Sequence, residues 1–153
     1  MPARKGSGRL WAMKAAWDQG VTLVEVLELT RGFEAFSAAV GASVRRLELE
    51  GIEALLSVQF YAQPGSTEAG AVLVFADASR VMEHVRRITG WGEFRELLTT
   101  VKPVDVRVYG KLSAETEAWL RTMNVVSKTF EHPVAGFVRW QAVQDAETAG
   151  GEG

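Results

Sequence analysis

Hydrophobic positions change their spacing along the chain, and each spacing predicts one kind of element. Between residues 21 and 29, apolar residues of high β propensity partly alternate with polar ones, which predicts a strand. Glu25 is the exception there, a charged residue in the apolar parity. From Phe33 to Leu47, apolar residues recur at steps of three and four, which predicts an amphipathic helix. The predicted domain therefore opens with a strand followed by a helix.

The middle of the chain predicts two strands joined by a turn. Residues 55–61 alternate, and residues 71–75 are a continuous apolar run, typical of a strand buried on both faces. Pro64 and Gly65 between them favour a turn, so we expect an antiparallel hairpin. One face of the first strand is predicted to hold the apolar side chains Leu56, Val58 and Phe60.

A second helical segment and a last alternating strand follow. Apolar residues at 81, 82, 85 and 88 predict a helix capped by Asp77 or Ser79, and a second short helix is expected over 93–100. Val104, Val106 and Val108 alternate with polar residues, which predicts a half-buried strand. The order β-α-β-β-α-β predicts an α+β, ferredoxin-like fold, in which both helices pack on one face of an antiparallel sheet.

The chain continues beyond this unit. We expect a helix over 114–123, then a hairpin whose strands, 125–130 and 134–140, flank a turn at 131–133. This helix-hairpin extension is predicted to cover a sheet edge or to reach a neighbouring subunit. The expected organisation is a tail with a short helix, the ferredoxin-like domain, the extension and a disordered tail: residues 1–20, 21–110, 111–143 and 144–153.

The second face of the predicted sheet also carries many apolar side chains. A large apolar face exposed on a monomer promotes association. We therefore expect a homodimer in which a second copy of the chain covers this face.

Composition removes several classes of function. The chain is 47% hydrophobic and 24% charged, as ordinary globular proteins are, and its net charge of −2 argues against a nucleic-acid-binding protein. It has no cysteine and two histidines, so no disulfide, no thiolate centre and no metal site is predicted. No stretch approaches the ~20 apolar residues of a membrane span, and no apolar region follows the basic start, so we expect a cytoplasmic protein without membrane contact.

Few side chains offer chemistry, and each has a structural alternative. His84, at the edge of an apolar helical stripe, suits a general base or a partly exposed helix histidine. Trp91, between two glycines, suits a cover over an apolar pocket or a core side chain. Polar groups on alternating strand positions suit a cavity lining, an outer face or a dimer interface. The candidate catalytic residues are His84, Tyr61 and Arg107, and the candidate pocket residues are Trp91, Phe94, Gln59 and Tyr109.

Residues 51–61 and 75–84 together resemble the antibiotic biosynthesis monooxygenase-like superfamily. They present a glycine, a strand carrying Tyr61, a turn with proline and glycine, an apolar strand and a helix that holds His84. Residues 93–109 are similar to the helix and final strand of that pattern. The resemblance covers roughly residues 21–110 and implies a dimeric α/β barrel. The superfamily includes oxygenases without cofactor, haem-degrading enzymes and isomerases.

Three functional hypotheses follow from the residues and the resemblance. The first is an enzyme without metal or cofactor that oxygenates a small aromatic or polyketide-like molecule, with His84 as base and Tyr61 and Arg107 as orienting groups. The second is a non-catalytic module that binds a small apolar ligand or supports assembly. The third is a haem-binding or haem-degrading enzyme, although the first strand lacks the asparagine and the helix after Trp91 lacks the histidine of such relatives.

Overall fold

A computed structural model describes residues 17–139, so most of the predicted first helix and the polar tail lie outside the described part. The elements are β1 (Val21–Leu29), α1 (Gly32–Glu50), β2 (Leu55–Ala62), β3 (Glu68–Phe75), a 3-10 turn (Ala78–Arg80), α2 (Val81–Thr89), α3 (Gly92–Thr100), β4 (Val101–Tyr109), α4 (Ala114–Thr122) and β5 (Val126–Phe130). The predicted order of strands and helices is confirmed as far as β4. No helix within residues 17–139 is both long and apolar enough to cross a bilayer.

One sheet organises the molecule, with the strand order β2-β3-β1-β4-β5. The first four strands are antiparallel neighbours, and β1 lies between β3 and β4. This is the strand order of a ferredoxin-like fold, which confirms that part of the prediction. The central position of β1 means that any side chain on its helix-facing side lies deep in the fold.

The extension adds a fifth strand to the same sheet. β5 pairs in parallel with β4, from Asp105 opposite Val126 to Tyr109 opposite Phe130. The predicted hairpin is wrong within the described part, because residues 131–139 contain no strand. The reason is that α4 serves as the crossover that a parallel connection needs and brings β5 to the free edge of β4. The extension therefore covers a sheet edge, as expected.

Two irregularities in strand pairing decide which side chains face the helices. In β2 the register shifts between Leu55 and Ser57, so Leu55 packs into the core and Leu56 turns to the other face, where it is 44% exposed. The prediction that Leu56 shares a face with Val58 was therefore wrong. In β4 a second shift leaves Val104 without a cross-strand partner in β1. Such bulges are not visible in the alternation of the sequence.

The core lies between the sheet and the helices as two clusters. One gathers around Phe75, Val106 and Val108, and the other around Leu27 and Phe36. The stripe of α1 that is buried consists of Phe36, Ala39 and Ser43. It is rotated from the predicted stripe because α1 packs against α3, where Ser43 donates a hydrogen bond to the Glu93 carbonyl oxygen (3.2 Å).

Candidate functional site

A cavity of about 320 Å³ lies between the sheet and the helix layer and is lined from both core clusters. Strands β1 to β4 form its floor, and side chains from or next to all four helices form its walls. Most of the lining is aliphatic or aromatic, and its aromatic members are Phe60, Phe75, Trp91, Phe94 and Trp119. Two ionisable side chains line it as well: Glu25 and His84.

Glu25 enters the cavity from the sheet. Its neighbours of the same parity in β1, Leu23 and Leu27, are buried, and the residues opposite it on the adjoining strands are Ala71 and Val106. None of these four side chains offers a hydrogen-bond donor. Burial alone raises the pKa of the Glu25 carboxyl to about 6, with no cation nearby to oppose it.

His84 enters the cavity from helix α2. It is 4% exposed, and its ring meets Phe75 edge to face with the ring centroids 5.3 Å apart. Its Nδ1 is buried without a hydrogen-bond partner. Burial lowers the pKa of the imidazole to about 4, so His84 is neutral at pH 7. A buried polar atom left without a partner is uncommon, and it is a position where a bound molecule or a water fits.

The candidate pocket residues Trp91 and Phe94 both line this cavity. Trp91 is buried, and the Arg46 guanidinium lies 4.4 Å from the centre of its ring. Arg46 also donates hydrogen bonds to Glu50 (2.7 Å) and Glu93 (2.8 Å). Trp91 is thus held as a fixed wall between α1 and α3.

The structure does not bring the other four candidates to this cavity. Val106 and Val108 face the helices, so Arg107 and Tyr109, which alternate with them, lie on the reverse face of the sheet. Arg107 pairs with its neighbour Asp105 there (2.9 Å). The expected joint action of His84 with Arg107 in one chain is therefore not supported, because the sheet lies between them.

Gln59 and Tyr61 are on the reverse face too, since Val58 and Phe60 line the cavity. Tyr61 is 63% exposed, so its hydroxyl does not orient anything bound beside His84 in the same chain. Tyr109 stacks on Phe130, with the ring centroids 5.4 Å apart, and lines a second hollow of about 290 Å³ near the end of the sheet.

Sequence reasoning missed two contributions to the cavity. Glu25 was visible only as a charge in an otherwise apolar parity, and that interruption was the signal that a strand placed a carboxyl group at the cavity between the two core clusters. Trp119 and Met123 come from α4 and the residue that follows it, and they line the cavity from the extension. Their helical spacing indicated burial, but no local pattern indicated which part of the domain they would contact.

The lining does not suit haem or a metal ion. Among residues 17–139, no arginine or lysine lines the cavity to neutralise haem propionates, and the acidic group that lines it, Glu25, would repel them. Within residues 17–139, no three histidine, aspartate or glutamate side chains are grouped so as to hold a metal ion. The chemistry available in the cavity is hydrogen bonding and proton transfer by Glu25 and His84.

Comparison with known proteins gives a likeness of fold. No family model matches the sequence, and no curated protein matches it. The crystal structure of MupZ from Pseudomonas fluorescens superimposes with a TM-score of 0.60 at 21% identity, over 80% of this chain and 97% of that one. SnoaB, a cofactor-independent oxygenase from Streptomyces nogalater, gives a TM-score of 0.46 at 9% identity, over 63% of this chain and 96% of its own. At 21% identity the likeness to MupZ concerns the fold alone, and it is consistent with the ferredoxin-like fold that the order of elements predicted.

Proposed function

We propose that the chain binds a small, largely apolar molecule in this cavity and acts on it with its own side chains, without a bound metal or cofactor. The observation that carries the proposal is an apolar cavity between the sheet and the helices, lined by Glu25 and His84, whose pKa values are shifted toward the neutral forms. Ionisable groups perturbed by burial in a cleft are typical of functional sites.

The lining indicates the kind of molecule. A volume of about 320 Å³ lies at the small end of the ~300–1,000 Å³ that ligand cavities occupy. Aromatic walls such as Trp91 and Phe94 suit a flat ring, which packs offset or edge to face against them. The Glu25 carboxylate disfavours a bound anion. These features favour a neutral aromatic or polyketide-like molecule.

The reaction that we favour is oxygenation that begins with loss of a substrate proton. When an activated methylene group becomes a carbonyl with one molecule of dioxygen, one oxygen atom enters the product and the other leaves as water. The electrons come from the substrate, so the reaction needs no external reductant. This chemistry requires a base in an apolar cavity. Glu25 and His84 line the cavity and can act as that base.

A second copy of the chain is part of the proposal. The reverse face of the sheet carries Val24, Val72 and Val74 half-buried, beside the exposed Tyr61 and Tyr109. Packing two such faces together removes these side chains from water and gives the predicted homodimer. In that arrangement Gln59, Tyr61 and Arg107 belong to the interface between subunits.

Intrinsic tryptophan fluorescence tests the proposal, because Trp91 and Trp119 line the cavity. We expect 1-tetralone and 1-naphthol to change the emission of the protein saturably. Val58→Phe fills the cavity from β2 and should abolish that change. Gln63→Phe alters an exposed residue in the turn after the same strand and should preserve it. An unchanged emission with every aromatic ketone and phenol tested would overturn the proposal.

The same titrations separate the enzyme from a non-catalytic binding module. Molecules that bind are incubated with the protein in an oxygen electrode, and the products are analysed by mass spectrometry. Uptake of dioxygen with a product heavier by one oxygen and lighter by two hydrogens supports the oxygenase. Binding with no chemical change in any ligand supports the module.

A further inference from the structure

Glu25 and His84 line the same apolar cavity, and neither side chain has a hydrogen-bond partner among residues 17–139. Glu25 comes from the central strand of the sheet, and His84 comes from helix α2, in the layer above it. Neither group takes part in an ion pair or caps a helix within residues 17–139. Their placement is therefore best explained by a bound molecule that needs both.

Resting on the proposed function, we propose that Glu25 is the base that removes a proton from a substrate carbon, while neutral His84 donates a hydrogen bond to the substrate oxygen that becomes negative. This division assigns the substrate class as an enolisable carbonyl compound, such as an aromatic ketone. It also reverses the sequence-based expectation that His84 is the base.

The surroundings of Glu25 suit a base. An ionised carboxylate only accepts hydrogen bonds, and Ala71 and Val106 on the adjoining strands have none to donate. Among residues 17–139, His84 is the other titratable group that lines the cavity. Two arginines of the helices that pack over the sheet form ion pairs away from the cavity, Arg46 with Glu93 and Arg86 with Glu115. The carboxylate therefore keeps its basicity, in agreement with its pKa of about 6.

The surroundings of His84 suit a donor. A neutral imidazole carries one N–H and one acceptor nitrogen, and the buried Nδ1 has no partner within the protein. Packing against Phe75 fixes the ring, so its nitrogens keep their direction when a substrate binds. With a pKa of about 4 the ring stays neutral above pH 5, which suits donation to an oxyanion without proton loss.

The proposed step is balanced within the site. The C–H bond on the α-carbon breaks, its electron pair forms a carbon–carbon double bond, and the carbonyl π pair moves to oxygen. The proton goes to a Glu25 carboxylate oxygen, and the enolate oxygen accepts the His84 hydrogen bond. In the reverse direction the carboxyl group returns a proton to carbon, so the step requires no oxidant.

Hydrogen exchange measures this step apart from any oxidation. 1-Tetralone is incubated with the full-length protein in D₂O without dioxygen, and loss of its α-hydrogen signal is followed by NMR. We expect exchange faster than in buffer alone, with a rate that rises through about pH 6 and is level above, because ionised Glu25 is the active form.

The variants assign the two roles. We expect Glu25→Gln to slow the protein-dependent exchange about 100-fold or more and His84→Phe to slow it about 100-fold, with both still binding 1-tetralone by fluorescence. His84→Gln keeps an N–H donor and should retain more activity than His84→Phe. Glu28→Gln, on the same strand but exposed, should leave the rate unchanged.

Several results would overturn the assignment. A rate that rises through about pH 4 and stays level across pH 6 would make His84 the base. An unchanged exchange rate in Glu25→Gln would likewise exclude Glu25 as the base. Binding of 1-tetralone without exchange at any pH would reject the enolisation step and leave the binding function intact. If the natural protein does not bind 1-tetralone or the other ligands tested, that result would count against the proposed function itself.

Discussion

Both faces of the sheet carry apolar side chains, but the two faces differ in how far these side chains are covered. On the helix face, Val106 and Val108 are almost fully buried, and the space left between the layers is the cavity with Glu25 and His84. On the reverse face, Tyr61 and Tyr109 are exposed although they are aromatic. A candidate site forms where helices cover the sheet and leave a cavity between the two layers. Polar groups on alternating strand positions do not form such a site by themselves.

The largest expected effect concerns the reverse face. Replacing Val26 and Val72 by aspartate puts unpaired charges where we propose that a second copy packs, which costs several kcal/mol of association free energy. We expect sedimentation to show a dimer for the natural chain and a monomer for this double variant. Leu49→Asp, on an exposed position of α1, should leave the dimer intact. A monomeric natural chain would contradict the proposal that a second copy covers the reverse face, because that face would then be stable in water.

The next largest effect is the loss of stability that His84 causes as the pH falls. Its pKa of about 4 lies below the ordinary 6.5, so the unfolded chain binds the proton more tightly than the folded one. The His84 contribution to stability is therefore present above pH 6.5 and is lost as the pH falls through 4, a change of roughly 3 kcal/mol. Urea unfolding of the natural protein and His84→Phe across this range should show the difference between them shrink by that amount.

His132 gives the control for that measurement. It lies in an exposed stretch after β5, so His132→Phe should not alter the acid response. If His84→Phe and the natural protein lose stability in parallel down to pH 4, His84 is not buried as a neutral group. The enclosure of the helix face would then be incomplete.

The contribution of Glu25 to stability should change with pH in the opposite direction to that of His84. Because burial raises its pKa from 4.5 to about 6, the favourable effect of its protonated form is full below pH 4.5 and is lost as the pH rises through 6. Relative to the natural protein, Glu25→Gln should gain about 2 kcal/mol of stability between pH 4 and pH 8. Chemical unfolding at both pH values measures this gain, and Glu28→Gln should show none. A pH-independent difference would mean that water reaches Glu25 freely.

The smallest effect concerns the wall formed by Trp91. Arg46→Met removes the guanidinium from the face of the indole together with its hydrogen bonds to Glu50 and Glu93, which lowers the stability slightly. We also expect the tryptophan emission to move to longer wavelength as water reaches the ring. Arg45→Met changes the exposed neighbour and should do neither. An unchanged emission in Arg46→Met would show that Trp91 is fixed by the core alone.

Much of the fold was predictable because its elements repeat local patterns. The alternation of β1 and the helical spacing of α2 each correspond to an observed element. The partner of β5 was not predictable, because strand pairing depends on where α4 carries the chain. The shift that turns Leu56 outward depends on how β2 aligns with β3. Neither effect has a local signal.

The candidate site was predictable in part. His84, Trp91 and Phe94 follow helical spacing or lie next to a helix, and the structure places all three at one cavity. Strand parity separates residues into two faces but does not tell which face the helices cover, so Tyr61 and Arg107 could not be assigned. Glu25 broke the apolar pattern of β1, and such an interruption in a central strand indicates a carboxyl group beside the core.

The route of the chain after β4 links two parts of the molecule that are distant in sequence. Helix α4 carries Trp119 to the cavity and also leads directly into β5. Local opening of this segment would uncover the edge of β4 and remove one wall of the cavity in the same event. A molecule that contacts Trp119 in the cavity should therefore also slow the opening of β5. Hydrogen exchange of the β5 backbone amides then becomes slower when the cavity is occupied.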